Sequence, residues 1–318
     1  MARQSLPDSS AKGAPADSGS GAPSSLARNL IASLRPQQWT KNLIVFAALL
    51  FGRQLLDPGS VVRATAAFVV FCALSGAVYL VNDVMDREND RRHPLKCKRP
   101  IASGALPVST ALLAAAVLAG CGLAAGFRIG RGFGVASVAY LALLSAYSGP
   151  LKHAVIIDVL TIAIGFVLRA AAGALAVGVQ ISHWLLVCTI LLALFLALSK
   201  RRHELVLLAD GASDHRPILQ EYSPYLLDQM IAIVTAATLM SYALYTVSPE
   251  TIERFGSDHL LLTFPFPLYG IFRYLYLVHQ KQGGGSPAEL LLADRPLLAC
   301  VGLWVVAVAV IIYRPLGV

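Results

Sequence analysis

Charge is scarce in this sequence. Asp, Glu, Lys and Arg make up 14% of its 318 residues, against roughly one quarter in a soluble domain, too few to coat a water-facing globule. An apolar fraction of 56% and a mean hydropathy of +0.65 point to a polytopic membrane protein instead. Cysteine is sparse as well. Cys72, Cys97, Cys121, Cys188 and Cys300 are odd in number, scattered and mostly inside apolar runs, so neither a disulfide framework nor a zinc site is implied. The stretch from Met1 to Ser25 lacks the apolar core of a secretory leader. Its Ser, Ala, Gly and Pro content predicts a disordered cytoplasmic tail, leaving 26–318 as a single transmembrane domain. The net charge of +8 sits in loops between apolar runs, so its partners are anionic headgroups and anionic small molecules rather than nucleic acid.

Those runs recur at about 43–57, 62–84, 107–126, 133–149, 154–178, 183–199, 227–247, 258–278 and 296–314, which predicts an all-α bundle of about nine spans. Loop charge orients it. With the N-terminus inside, Arg35, Lys41, the cluster from Arg87 to Arg99, Lys152 and the run Lys200 to Arg202 share one side, while the other receives only Arg53, Arg63, Arg128, Arg131, Arg254 and Arg314. By the positive-inside rule the richer side is cytoplasmic, in an inner (plasma) membrane protein of multi-pass type.

One stretch on that side differs from all the others: Asn82-Asp-Val-Met-Asp-Arg-Glu-Asn-Asp-Arg-Arg-His-Pro-Leu-Lys-Cys-Lys-Arg-Pro-Ile-Ala-Ser103. On a helix Asn82, Asp86 and Asp90 share a face, each four residues from the next. The outer two are then about 12 Å apart along the axis, too far to grip one bare ion. Such a face suits a hard cation bridging to phosphate, because Mg²⁺ commonly takes one or two protein carboxylates and fills its octahedron with water and substrate oxygens. Lys96, Lys98 and Arg99 follow to hold the remaining anionic charge. A solvated charged loop is the plainer alternative, but the acidic face begins directly after the apolar run Ala66 to Leu80. Ionisable groups at such a boundary are costly and usually functional. The stretch therefore reads as a diphosphate site.

Other residues on the same side leave more than one role open. Trp39 suits an interfacial aromatic, and Lys41, just before the first span, meets either headgroups or a substrate phosphate. The segment Tyr147-Ser-Gly-Pro-Leu-Lys-His153 breaks a helix at Gly149-Pro150 and brings Lys152 to the membrane edge. Arg169 lies about 20 Å along the fifth span, a depth that demands a partner or water; it either touches substrate or forms a buried structural pair. Asp158 is a partner for Lys152 or for a second cation. Ser199-Lys-Arg-Arg-His-Glu204 serves as a topogenic anchor or as a substrate clamp, and the polar loop through Asp214, Arg216 and Tyr222 is long enough to cap the site. Gly283-Gly-Gly285 looks like a flexible connector.

At these residues the chain resembles a known family. Asn82-Asp83-x-x-Asp86-x-x-x-Asp90, the nine-span layout and the Tyr147…Lys152 element are similar to the UbiA-type intramembrane prenyltransferase superfamily. Arg35-Pro-x-x-Trp39-x-Lys41-Asn42, His93-Pro-x-Lys96-x-x-Arg99-Pro-Ile-Ala-x-Gly104 and Gly165-Phe-Val-Leu-Arg169-Ala resemble its decaprenyl-phosphate phosphoribosyltransferase branch. The resemblance implies a Mg²⁺-dependent enzyme that moves 5-phosphoribose from phosphoribosyl diphosphate to a polyprenyl phosphate. It implies Asn82 and Asp86 at the metal, with Asp83, Asp86 and Asp90 as the catalytic carboxylates. It also implies donor or lipid-phosphate contacts from Lys41, Tyr79, Asn82, Lys96, Arg99, Tyr147, Lys152 and Arg169. Oligomeric state stays open, a homo-oligomer included. One departure separates branches: members that prenylate aromatic acceptors usually carry a second pair of aspartates four residues apart, whereas here Asp158 is followed at that distance by Ile162. An ion-transporting scaffold is the reading from another class, and it would favour acidic groups nearer mid-bilayer.

Overall fold

A computed structural model of the chain describes residues 26–94, 96–180, 182–209, 217–281 and 287–313. The expected tail, Asp214, Arg216, Gly283 to Gly285 and Arg314 lie outside them. Among the described residues the chain is helical, without a strand. Its α-helices are α1 (Leu26–Ser33), α2 (Ala47–Phe51), α3 (Pro58–Met85), α4 (Arg87–Arg92), α5 (Val108–Ile129), α6 (Arg131–Ser148), α7 (Ile157–Val177), α8 (His183–Ala209), α9 (Pro224–Val247), α10 (Pro249–Phe255), α11 (Pro265–Gln280), α12 (Pro287–Ala293) and α13 (Arg295–Tyr313).

Among the described residues seven segments have the length and hydropathy to cross a membrane: α3, α5, α7, α8, α9, His259–Gln280 and α13. The other two expected spans are present but fall short. In α6, Arg131 and three serines dilute the apolar content. The first span is a 3-10 helix, Pro36–Phe46, continued by α2. An eleven-residue 3-10 run is unusual, since such runs rarely exceed three or four residues. It lies flat against α7 because Gly173 has no side chain: a Cβ there would stand 2.3 Å from the Val45 carbonyl oxygen.

Chain neighbours pack side by side from α5 through α9, and α3 packs against α5, α6, α7 and the 3-10 helix. One apolar cluster joins Val45, Phe71, Leu74, Phe133 and Tyr140, and a second joins Val159, Phe195, Leu198, Leu227 and Ile271. The bundle closes where Leu50 and Phe51 meet Tyr245, Val308 and Ile312. At that end Arg53 donates to the carbonyls of Ile312 (2.9 Å), Phe255 (3.2 Å) and Arg254 (3.3 Å), fastening three stretches far apart in sequence.

Asp57 starts α3 by accepting the Ser60 N–H at 2.8 Å, with Pro58 at the first helical position. The 28 residues that follow rise about 42 Å, beyond the roughly 30 Å of a hydrocarbon core. The last turns of α3 therefore carry Asn82 and Asp83 past the apolar slab. The 27 residues of α8 do the same for Arg201, Arg202 and Glu204.

Candidate active site

The acidic motif does not continue as one straight helix. Asp86 takes φ −88° and ψ 4° between α3 and α4, although its N–H still bonds Asn82 O at 2.9 Å and Asp90 N bonds Asp86 O at 2.8 Å. The bend divides the carboxylates. Asp83 and Asp90 are both 3% exposed, and cations take them up: Arg99 Nη1 donates to Asp83 Oδ1 at 3.1 Å and to Asp90 Oδ2 at 2.6 Å. Arg35 closes on the same Asp83 oxygen. A left-handed backbone at Arg35, φ 52°, turns the chain between α1 and the 3-10 helix. Its guanidinium also stacks 5.0 Å from the Tyr79 ring centroid.

Asn82 and Asp86 are left half exposed. Lys152 Nζ stands 3.9 Å from Asp86 Oδ1, so the turn Leu151–His153 arches over the motif. Arg99 thus pairs with Asp83 and Asp90 while 30% of its side chain stays exposed, and Lys152 joins the acidic residues. Lys96 sits half-buried on the turn Lys96–Lys98, its backbone N–H donating to His93 Nδ1 at 3.2 Å.

Deeper in the bundle Arg169, 6% exposed, is held by neutral groups. Its Nε donates to Asn42 Oδ1 at 2.8 Å and its Nη2 to Tyr140 OH at 2.5 Å, and Tyr140 OH lies 3.0 Å from Ser75 Oγ. Phe166 and Tyr140 present their rings to the cation at 5.1 and 4.7 Å. Among the described residues no carboxylate pairs with it, so burial leaves this guanidinium with uncompensated positive charge. Lys41 lies within electrostatic reach of Arg169, Arg35 and Lys200, and Tyr79 within reach of Arg169 and Arg35. Arg35 and Arg169 thus gather basic charge within electrostatic reach of Lys41. Trp39 is partly exposed, and its Nε1 is enclosed with no hydrogen-bond partner among the described residues.

Asp158 finds its cation in Arg201 of α8, Nε to Oδ2 3.1 Å, not in Lys152. Arg201 is 1% exposed; it also pairs with Glu204 and reaches Tyr147 OH at 3.5 Å. The run read as an anchor or clamp thus holds α7 to α8, and Tyr147 belongs to that network. Tyr222 OH donates to Asp158 Oδ1 at 2.9 Å. Sequence reasoning gave no site role to Asn42 as a ligand of Arg169, nor to Tyr140 or Ser75, and it placed Tyr222 only in a loop long enough to cap the site. The Arg35…Asn42 motif was the one available signal among them.

Beside Asn82 an apolar groove of about 370 Å³ opens between α3, α5 and α6, with Met85, Leu112, Ala116, Leu141 and Ser148 among its walls. It gives the motif a lateral opening.

The model of the UbiA prenyltransferase family matches residues 43–283. The chain belongs to the UbiA prenyltransferase family. It is 35% identical to the decaprenyl-phosphate phosphoribosyltransferase of Corynebacterium glutamicum, over 92% of this chain and 89% of that protein. It is 32% identical to the decaprenyl-phosphate phosphoribosyltransferase of Mycolicibacterium smegmatis, over 92% and 95%. In three dimensions it superposes on a UbiA homolog from Archaeoglobus fulgidus bound to GPP and Mg²⁺ with a TM-score of 0.69, at 19% identity and covering 90% of this chain and 99% of that one. That likeness establishes the UbiA fold, a helical bundle in the membrane.

Within this UbiA bundle no group of three or more His, Cys, Asp or Glu side chains is placed to hold a metal among the described residues. The donor set suits Mg²⁺ completed by substrate oxygens, since Asp86 supplies one open carboxylate and Asn82 an amide oxygen.

Proposed function

We propose that this UbiA-family protein transfers the 5-phosphoribosyl group of phosphoribosyl diphosphate to a polyprenyl phosphate. The observation that carries the reading is the division of charge. Asp86, half exposed, has Lys152 at 3.9 Å, while Arg35 and Arg169 lie within electrostatic reach of Lys41, a balance that suits two anionic substrates. The names of its relatives in Corynebacterium and Mycolicibacterium support the same reading. Loop charge supports a motif end that faces the cytoplasm, where a soluble phosphorylated donor arrives.

In this reading Asn82 and Asp86 would hold Mg²⁺, which when bound would supply positive charge to the departing diphosphate. Lys152, beside Asp86, shares that diphosphate. Asp83, Asp90, Arg35 and Arg99 act through their mutual ion pairs, fixing the bend that presents Asn82 and Asp86. Lys41 and Arg169 take the acceptor phosphate with Tyr79 beside them, and Tyr140 holds Arg169 in place. As the bond from ribose carbon 1 to the diphosphate oxygen loosens, carbon 1 gains oxocarbenium character. A phosphate oxygen of the acceptor then forms the new bond, and diphosphate departs with the electron pair. A phosphate monoester with a second pKa of about 6 is already largely ionised at neutral pH, so no general base is required. Catalysis rests on positioning and electrostatics.

The test is detergent-purified protein with Mg²⁺, polyprenyl phosphate and radiolabelled phosphoribosyl diphosphate. Label should pass into the lipid. Prenylation of 4-hydroxybenzoate from a polyprenyl diphosphate, with no phosphoribosyl lipid formed, would overturn the reading and leave the fold intact.

A further inference from the structure

Immediately before α7 the backbone takes a conformation that its residue resists. Ile156 has φ 68° and ψ −41°, close to the rare and strained γ-turn region, and its branched Cβ makes a positive φ still more costly. Such a conformation persists only where its surroundings enforce it. Here one group does so. The Ile156 N–H donates to Tyr222 OH at 2.7 Å, and Tyr222 OH in turn donates to Asp158 Oδ1 at 2.9 Å.

Tyr222 is 4% exposed and follows the turn Pro217–Glu221, far along the chain from the loop it grips. Desolvation by burial, the largest cause, and the neighbouring Asp158 carboxylate push its hydroxyl up to about 12. The group therefore stays protonated and can accept from Ile156 while donating to Asp158. Asp158 is itself fixed by Arg201, so the hydroxyl is anchored from behind.

The loop it holds is stiff. His153 N bonds Pro150 O at 3.1 Å, Ala154 N bonds Leu151 O at 3.3 Å, and Asp158 N bonds Ala154 O at 3.0 Å. Such a turn moves as a unit about Ile156. Its cargo is Lys152, 3.9 Å from Asp86.

We infer that Tyr222 is a positioning residue for the site: its hydroxyl latches Ile156 in the strained conformation and thereby keeps the turn bearing Lys152 over Asp86, ready for a diphosphate. The inference rests on the proposed donor reading for its consequence at the site, though not for the latch itself. Without the hydroxyl, Ile156 relaxes toward an unstrained φ and the Lys152 turn swings away. Binding a diphosphate must then restore the strain. With glycine at position 156 no Cβ opposes the positive φ, so the turn keeps its place without the latch.

Two measurements on the full-length, detergent-purified chain test this. Hydrogen exchange should be faster across residues 150–158 in Tyr222→Phe than in the wild type, with α3 and α9 unchanged. Calorimetric binding of inorganic diphosphate with Mg²⁺ should weaken about tenfold in Tyr222→Phe, the size set by a strained residue. Ile156→Gly in the same background should recover most of that loss. A residue that only stabilised the fold would show the opposite, because the added glycine raises the entropy of the unfolded chain. Unchanged exchange, or no recovery by glycine, would overturn the latch. If the wild type binds no diphosphate, the donor reading falls and exchange alone judges the latch. Should Tyr222→Phe not fold, the double variant is compared with Ile156→Gly alone: equal diphosphate affinity supports the latch and a lower one refutes it.

Discussion

Two aspartates three residues apart should fail in different ways. The Asp83 side chain is 4% exposed and lies against two guanidinium groups, whereas the Asp86 side chain is 45% exposed with one ammonium at 3.9 Å. In Asp83→Asn the carboxylate that Arg35 and Arg99 share is lost, leaving Arg99 with Asp90 alone and Arg35 without its pair. Removing one partner of a buried ion pair costs about 3–5 kcal/mol. The two arginine side chains are each 30% exposed, and solvent softens that to about 2–3 kcal/mol. In Asp86→Asn an exposed pair is lost, worth under about 1 kcal/mol, while the carboxylate proposed to hold the metal disappears. Thermal unfolding in detergent, read beside turnover at limiting Mg²⁺, separates the two. Asp83→Asn should melt well below the wild type, and Asp86→Asn should melt near it with turnover abolished. Substantial turnover by a folded Asp86→Asn protein at limiting Mg²⁺ would refute the assignment of Asp86, and a wild-type melt for Asp83→Asn would refute the ion-pair frame.

Lys41→Ala should chiefly raise the Michaelis constant for the lipid acceptor; a weakened donor constant with unchanged lipid dependence would move Lys41 to the donor side. Gly173→Ala should lift the 3-10 helix from α7, because its Cβ would meet the Val45 carbonyl at 2.3 Å, and activity and melting point should fall together. Ala116→Trp, filling the groove beside Asn82, should raise the constant for polyprenyl phosphate without altering that for the donor; equal change in both would argue against lateral entry there. Ile162→Asp should not confer aromatic prenylation, since it adds a carboxylate beside an apolar cluster without building an acceptor pocket.

The fold was readable in the sequence because apolar run length and loop charge are local properties. Each of the nine expected runs corresponds to a helical segment in chain order. The first span's 3-10 geometry was not readable, for it depends on the missing side chain of Gly173 in a helix more than a hundred residues away. The motif announced itself through spacing, yet spacing on an ideal helix treats Asp86 and Asp90 alike. What distinguishes them is a bend at Asp86 and the arrival of Arg99 from the following loop. Arg201 looked like a boundary charge because its partner, Asp158, sits on another helix. Pairings that cross helices leave no periodic trace.

The half-motif at Asp158 gains a physical meaning from those same pairings. Its carboxylate is occupied by Arg201 and the Tyr222 hydroxyl, and Ile162, one turn later, packs among apolar neighbours that include the Val159 and Phe195 cluster. Neither position offers an acidic anchor to a second metal. In the proposed reaction a donor diphosphate beside Asp86 would therefore meet one metal position and then cations. A further open carboxylate near Arg169 would offset its charge, which among the described residues is met by the neutral Asn42 and Tyr140. A lipid monophosphate would then lose its attraction just where the first diphosphate already repels it. In the proposed reaction, Asp158 held by Arg201 and Tyr222 and Arg169 bonded to the neutral Asn42 and Tyr140 leave cationic charge for two anions at once.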